Sequence, residues 1–354
     1  MSLHRRGVLA GLLIAGGRTA LAADEAWPAA AWDDLTPEAA GWAPAPLAEA
    51  RAYARRAGTA SCMILHQGRV IASWGDVTRR LQLYSVRKSL LSALIGIAVR
   101  DGRIDLDATM AGLGIDDVAP SLSAVEKQAT VRQLLQARSG VYHLALAETE
   151  GMRRRRPARG SHPPGSFWYY NNWDFNVLGT IYERATGVSI FDAFQRQIAT
   201  PLGMQDYRPS DGWHLRGAAS EHAAYPFRMS ARDLARFGLL YLRGGRWRDR
   251  QVVPAAWVRE STTGWSETYL GSGYGYLWWT GFPDRRVAIM NLAPGGFWAD
   301  GSRGQFVVVD PAHQLVVVHQ TDGTRVTERQ MGHLMWLILT AARVQDPGAD
   351  PEAG

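Results

Sequence analysis

Leu83-Tyr84-Ser85-Val86-Arg87-Lys88-Ser89-Leu90 holds one of only two lysines among 354 residues; the other basic side chains are 37 arginines. A chain so committed to arginine retains lysine where arginine cannot serve. Guanidinium does not give up its proton in a protein, whereas a buried ammonium can be driven neutral and act as a base. Lys88 follows Ser85 by three residues, and a helix starting at Ser85 would set both side chains on one face. A serine beside a deprotonatable lysine is an activated nucleophile. The chain has 19 serines, so this spacing alone is weak, and the second lysine, Lys127, has Ala124 at the equivalent place. Context has to carry the reading.

Downstream, 85–100 reads as a helix with Leu90, Leu91, Leu94, Ile95 and Ala98 on its buried face, ended by Asp101-Gly102. Upstream, 47–57 reads as a helix, and 61–65 with 70–74 as two strands around a turn at His66-Gln67-Gly68-Arg69. Short helices are expected at 131–136, 177–186, 190–198 and 231–242, with an arginine-, proline- and glycine-rich loop over 152–166. Strands are expected at 274–279, 287–292, 305–309 and 315–319, and a closing helix at 326–343. A sheet drawn from both ends of the chain, with a mostly helical insertion over roughly 105–255, is an α+β layout.

The first 22 residues carry an export pattern: Arg5 and Arg6, a short apolar run, then the small-residue site Ala20-Leu21-Ala22. The arginine pair partly fits a twin-arginine signal, though His4 stands where Ser or Thr is usual. No cysteine follows the run, so no lipid or membrane anchor is expected. The expected mature chain is 23–345 with a frayed tail at 346–354, periplasmic or secreted. Removing that leader takes away three arginines, leaving 36 basic against 33 acidic residues, a net charge of +3. Such a balance gives little reason to expect a nucleic-acid partner. Cys62 is the only cysteine, which rules out an intramolecular disulfide.

Further motifs recur in order along the chain. They are Asp101-Gly102-Arg103-Ile104-Asp105-Leu106-Asp107, Leu134-Leu135-Gln136-Ala137-Arg138-Ser139-Gly140, Pro164-Gly165-Ser166, Tyr170-Asn171-Asn172 with Leu178-Gly179, and the stretches 229–238 and 274–279. With Ser85-x-x-Lys88 at their head, these motifs resemble the serine β-lactamase and penicillin-binding protein superfamily. Within it they are most similar to the class C-like esterases and 6-aminohexanoate-oligomer hydrolases. The resemblance implies a β-lactamase-like fold, an antiparallel sheet flanked by helices with an inserted helical subdomain. It also implies a Ser85 acyl-enzyme, Lys88 as base or proton relay, Tyr170 as the partner phenol, and Asn172 as the asparagine of the Tyr-x-Asn element. Tyr169 with Asn171 fits that element too; the spacing to Leu178-Gly179 favours Tyr170.

The family's third element, Lys-Thr-Gly or His-Thr-Gly, is replaced here by Ala299-Asp300-Gly301. The resemblance puts the oxyanion hole at the backbone N–H groups of Ser85 and Ser302, with Gly301 and Arg303 lining the substrate site. Loss of the third element's cation argues against β-lactam binding, although Arg303 stands near enough to replace it. Arg153 to Arg156 with Arg159 reads as a solvated loop or a basic rim for acidic substrates. Trp168, Trp173, Trp278, Trp279 and Trp298 divide between core and an apolar acyl pocket.

No histidine spacing suits a metal, no Gly-x-Ser-x-Gly elbow is present, and no phosphate-cradling Gly-x-x-x-x-Gly-Lys occurs. The expectation is therefore a serine hydrolase without metal or organic cofactor, acting on a small amide or ester, its oligomeric state open. The rival readings are a D-alanyl-D-alanine peptidase or β-lactamase, and a catalytically silent protein that binds cell-wall peptide.

Overall fold

The computed structural model describes residues 26–343. The expected leader and tail lie outside them. Eight strands form one antiparallel sheet. Its order runs Arg69–Gly75, Thr59–His66, Leu315–Thr321, Gln305–Asp310, Phe297–Gly301, Trp279–Thr280, Gly273–Tyr274, Ser266–Glu267. The N-terminal hairpin is thus zipped against the last strand, with Met63 opposite Val318 and Ile64 opposite Val317. The two central strands, with their Val307-Val308-Val309 and Val316-Val317-Val318 runs, are buried at every position. β-Branched side chains pack well on a pleated surface covered on both faces.

Helix Ala231–Leu242 lies on the sheet so closely that a Cβ at Gly238 would come 2.5 Å from Val316. Helices Pro44–Arg56 and Glu328–Arg343 pack against each other. Between residues 86 and 261 the chain adds helices, two two-stranded ribbons and a short strand, Arg228–Met229, that pairs with Leu81–Gln82, but no strand of the main sheet. This matches the expected architecture.

Helix Val86–Arg100 is buried from Val86 through Ala98, not along one stripe. It therefore runs through the middle of the molecule. Part of the expected 152–166 loop is helix Glu150–Arg155, started by Thr149, whose hydroxyl accepts the Met152 N–H. The expected strand at 274–279 is broken into two by Leu277, which adopts φ 65°. The expected strand at 287–292 is a short 3₁₀ turn, Ala288–Met290.

Candidate active site

Ser85 stands at the first turn of helix Val86–Arg100, where serine commonly caps backbone N–H groups. Here its side chain caps nothing. Its hydroxyl instead lies 2.9 Å from Lys88 Nζ. Tyr84, just before it, is held at φ 48°, a sparsely populated conformation for a bulky residue. Gly301 fixes the neighbouring strand end: a Cβ there would sit 2.2 Å from the Leu83 carbonyl oxygen. Only glycine lets strand Phe297–Gly301 approach the Leu83-Tyr84-Ser85 turn that closely.

Lys88 is 1 % exposed. Its Nζ also lies 2.8 Å from the Tyr170 hydroxyl. The Tyr170 and Phe175 ring centres are 4.1 and 4.4 Å from the same nitrogen. Burial, reinforced by the Arg87 charge and opposed by Asp300, pushes the Lys88 ammonium well below the usual lysine range. Burial has the opposite effect on Tyr170, whose phenol is pushed far up despite its hydrogen bond with Ser85. Lys88 is thus biased towards the neutral amine and Tyr170 towards the protonated phenol.

The two tyrosines separate cleanly. Tyr169 turns away and donates to the Met152 carbonyl at 2.8 Å. Asn171 caps helix Asn172–Thr186 by accepting the Trp173 N–H, and it donates to Asp174 and the Val141 carbonyl. Asn172 donates to the Ala147 carbonyl at 2.7 Å, and its Oδ1 is buried with no partner among the described residues. The hydrogen bonds thus put Tyr170, not Tyr169, beside Ser85 and Lys88.

Ser302 and Arg303 are exposed at the turn after Gly301. The Arg303 guanidinium donates to the Gly323 carbonyl at 3.0 Å. Asp300 is half-buried, and its carboxyl bonds to that of Glu328 at the start of the last helix. Burial first, then the Glu328 charge, raises Asp300 well above the usual carboxylate range. Its charge also bears on Lys88, Tyr170 and Tyr269.

Aromatic side chains wall the site. Trp279 lies 5.4 Å from Tyr170 and is stacked on Trp298, while Tyr274 meets Tyr170 edge-on. A cavity of about 550 Å³ opens beside Tyr170, lined by Met152, Arg155, Phe167, Trp168 and Tyr269. Of the tryptophans picked from sequence, Trp168 lines this cavity. Trp173 and Trp278 are core residues, bonded to Asp117 and packed on Phe237 and Tyr241 respectively. The arginine run is largely spoken for: Arg154 pairs with Glu150, Arg156 with Glu148 and Arg159 with Glu126. Arg155 instead covers the Tyr269 ring at the cavity mouth. Among the described residues, no group of three or more His, Cys, Asp or Glu is placed to hold a metal.

Sequence reasoning missed Phe175, Tyr269, Tyr274, Glu328 and the burial of Arg87. The one available signal was Arg87, a cation followed by an apolar helix.

Fold and site together describe a protein that sets a Ser-x-x-Lys helix against an antiparallel sheet. The chain belongs to the β-lactamase family, whose model, described as Beta-lactamase, matches residues 40–340. It is 28% identical over 174 residues to Esterase EstB of Burkholderia gladioli, covering 43% of this chain and 44% of that one. Among solved structures it resembles a protein assigned as a 6-aminohexanoate-dimer hydrolase from Bacillus anthracis. That match has 20% identity and a TM-score of 0.64, with 82% of this chain and 80% of the other covered. A family VIII carboxylesterase gives 16% identity and a TM-score of 0.61, with coverage of 84% and 97%.

Proposed function

We propose that this chain is a serine hydrolase that cleaves an ester or a linear amide through an acyl-enzyme on Ser85. The observation that carries the reading is Lys88 Nζ, buried between the Ser85 and Tyr170 hydroxyls at 2.9 and 2.8 Å. Neutral Lys88 takes the proton of Ser85 Oγ as the oxygen attacks the substrate carbonyl carbon. The resulting oxyanion is held by the N–H groups of Ser85 and Ser302. Collapse breaks the bond to the leaving alcohol or amine, which takes a proton from the Tyr170 hydroxyl. Lys88 then returns its proton to Tyr170. Water attacks the acyl-enzyme by the same route and releases the acid, restoring Ser85.

The surroundings favour an uncharged, apolar acyl group. The aromatic cavity beside Tyr170 supplies a wall for it. On the third-element strand, Ala299 offers no cation, and Asp300 with Glu328 would repel the carboxylate of a β-lactam once ionised. Two EstB- and carboxylesterase-type relatives lean the same way. We further propose export of a mature chain beginning near Ala23 to the periplasm or medium, with a small-molecule substrate as its partner. N-terminal sequencing of the secreted protein checks that cleavage site.

The test of activity is hydrolysis of p-nitrophenyl esters and linear amides by purified mature protein and by Ser85→Ala. Turnover is expected from the first alone. Equal turnover by both would reject the reading, and absence of turnover on every substrate would favour a silent peptide-binding protein.

A further inference from the structure

Arg87 is an anomaly. It lies one residue before Lys88, is 4 % exposed, and belongs to the most buried helix of the molecule. Its guanidinium covers the Tyr225 ring at 4.7 Å and reaches the Tyr84 carbonyl at 3.4 Å. Nε and Nη2 are buried with no hydrogen-bond partner among the described residues. Buried cations normally require a carboxylate.

The groups facing this pair of cations come from several elements. The first turn of their own helix contributes the Ser85 hydroxyl. Tyr170, just before helix Asn172–Thr186, and Phe175 within it face the lysine, and Tyr225 and Tyr274 add two more buried phenols. Burial keeps both of those phenols protonated. The nearby carboxyls are Asp300, bonded to Glu328, and Asp174, bonded to Ser139 and Asn171. Among the described residues neither carboxyl hydrogen-bonds or pairs with Arg87 or Lys88, each being held by its own neighbours. Two buried cations one residue apart, with no ion pair among the described residues, strongly disfavour each other's charge. Guanidinium keeps its proton, so the ammonium is the one to yield.

We propose that Arg87 is a positioning residue whose fixed, uncompensated charge keeps Lys88 in its neutral, proton-accepting form. This rests on the Ser85–Lys88 reading above. Through the Tyr84 carbonyl the same guanidinium also steadies the turn that presents Ser85.

The test is the pH dependence of Ser85 acylation by a fluorophosphonate probe on the full chain, followed by mass spectrometry. Wild type, Arg87→Gln, Arg87→Met and Ser85→Ala are compared. In wild type the acid limb should lie well below the ordinary lysine value of about 10.4. In both Arg87 variants it should move to higher pH, so that labelling at pH 7 falls on the order of tenfold and recovers in alkali. A uniform loss at every pH with an unmoved limb would mean that Arg87 only packs, and would overturn the proposal. Should neither variant fold, Arg87→Lys, whose ammonium can shed its charge where guanidinium cannot, takes their place: a limb moved to higher pH supports the proposal and an unmoved limb overturns it. Labelling of Ser85→Ala at the wild-type rate would instead reject the underlying nucleophile, a failure of a different kind.

Discussion

The two lysines of this chain occupy opposite environments. Lys127 sits near the surface, its Nζ 2.6 Å from Asp116, and holds that carboxyl down at about 2, chiefly through their hydrogen bond. Lys88 is enclosed by aromatic rings and hydroxyls, beside a second cation, with no ion pair among the described residues. The same side chain is paired with a carboxylate near the surface in one place and buried among rings and hydroxyls in the other. What separates them is desolvation and the sign of the nearest charge, not residue type.

That contrast is sharpest under a substitution that preserves charge but removes acid–base chemistry. Lys88→Arg should abolish ester turnover by ~10³-fold or more, since arginine cannot accept the serine proton. Lys127→Arg should leave turnover intact, because Asp116 accepts a guanidinium equally well. Parallel steady-state kinetics decide; wild-type turnover in Lys88→Arg would remove Lys88 from the proton path.

A smaller effect separates the two tyrosines. Tyr170→Phe deletes the hydroxyl bonded to Lys88, and kcat should fall by ~10²-fold, the usual scale of general acid–base help. Tyr169→Phe should leave kcat within a few-fold but cost ~1 kcal/mol of stability, because it strips the Met152 carbonyl of its buried donor. If the loss of kcat appeared in Tyr169→Phe instead, the hydrogen-bond assignment would be wrong.

Much of this site was legible because its chemistry is local. Ser85 and Lys88 share one helical turn, and Tyr170 leads a helix whose start is marked by Asn171. The sheet was legible where valine runs and a Gln67-Gly68 turn declared it. Legibility failed where distant contacts override the local pattern. Residues 274–279 read as a single strand, but the Ser89 hydroxyl takes the Leu277 carbonyl at 2.8 Å and Leu277 turns the chain back. Glu328 is remote in sequence from Asp300, so their pairing could not be read from either segment. Asn172 carries the expected motif position, yet its amide is spent on the Leu146–Ala147 backbone.

Substrate choice tests the charge difference at the third-element strand. A p-nitrophenyl ester should exceed nitrocefin in kcat/KM by roughly tenfold, equivalent to about 1.4 kcal/mol of transition-state binding. Efficient nitrocefin turnover that collapses in Arg303→Ala would show that Arg303 leaves Gly323 to bind a carboxylate.

The smallest effect belongs to the Lys127–Asp116 bridge. The folded Asp116 carboxyl titrates at about 2, below its value in an unfolded chain. Its contribution is therefore complete above pH ~4 and is lost as pH falls towards 2. Solvent exposure limits it to less than ~1 kcal/mol. Urea unfolding of wild type and Asp116→Asn should differ by that amount at pH 6 and converge near pH 2.

The central claim is that Ser85 is acylated with Lys88 as the acceptor of its proton. Its most direct test is quenched-flow mass spectrometry of the mature chain mixed with a p-nitrophenyl ester, mapped to the peptide that carries the acyl group. A single acyl group on Ser85 should build up within the first turnover, absent in Ser85→Ala and strongly slowed in Lys88→Arg. Ester hydrolysis at full rate with no acyl group on Ser85, or with acylation undiminished in Lys88→Arg, would contradict it.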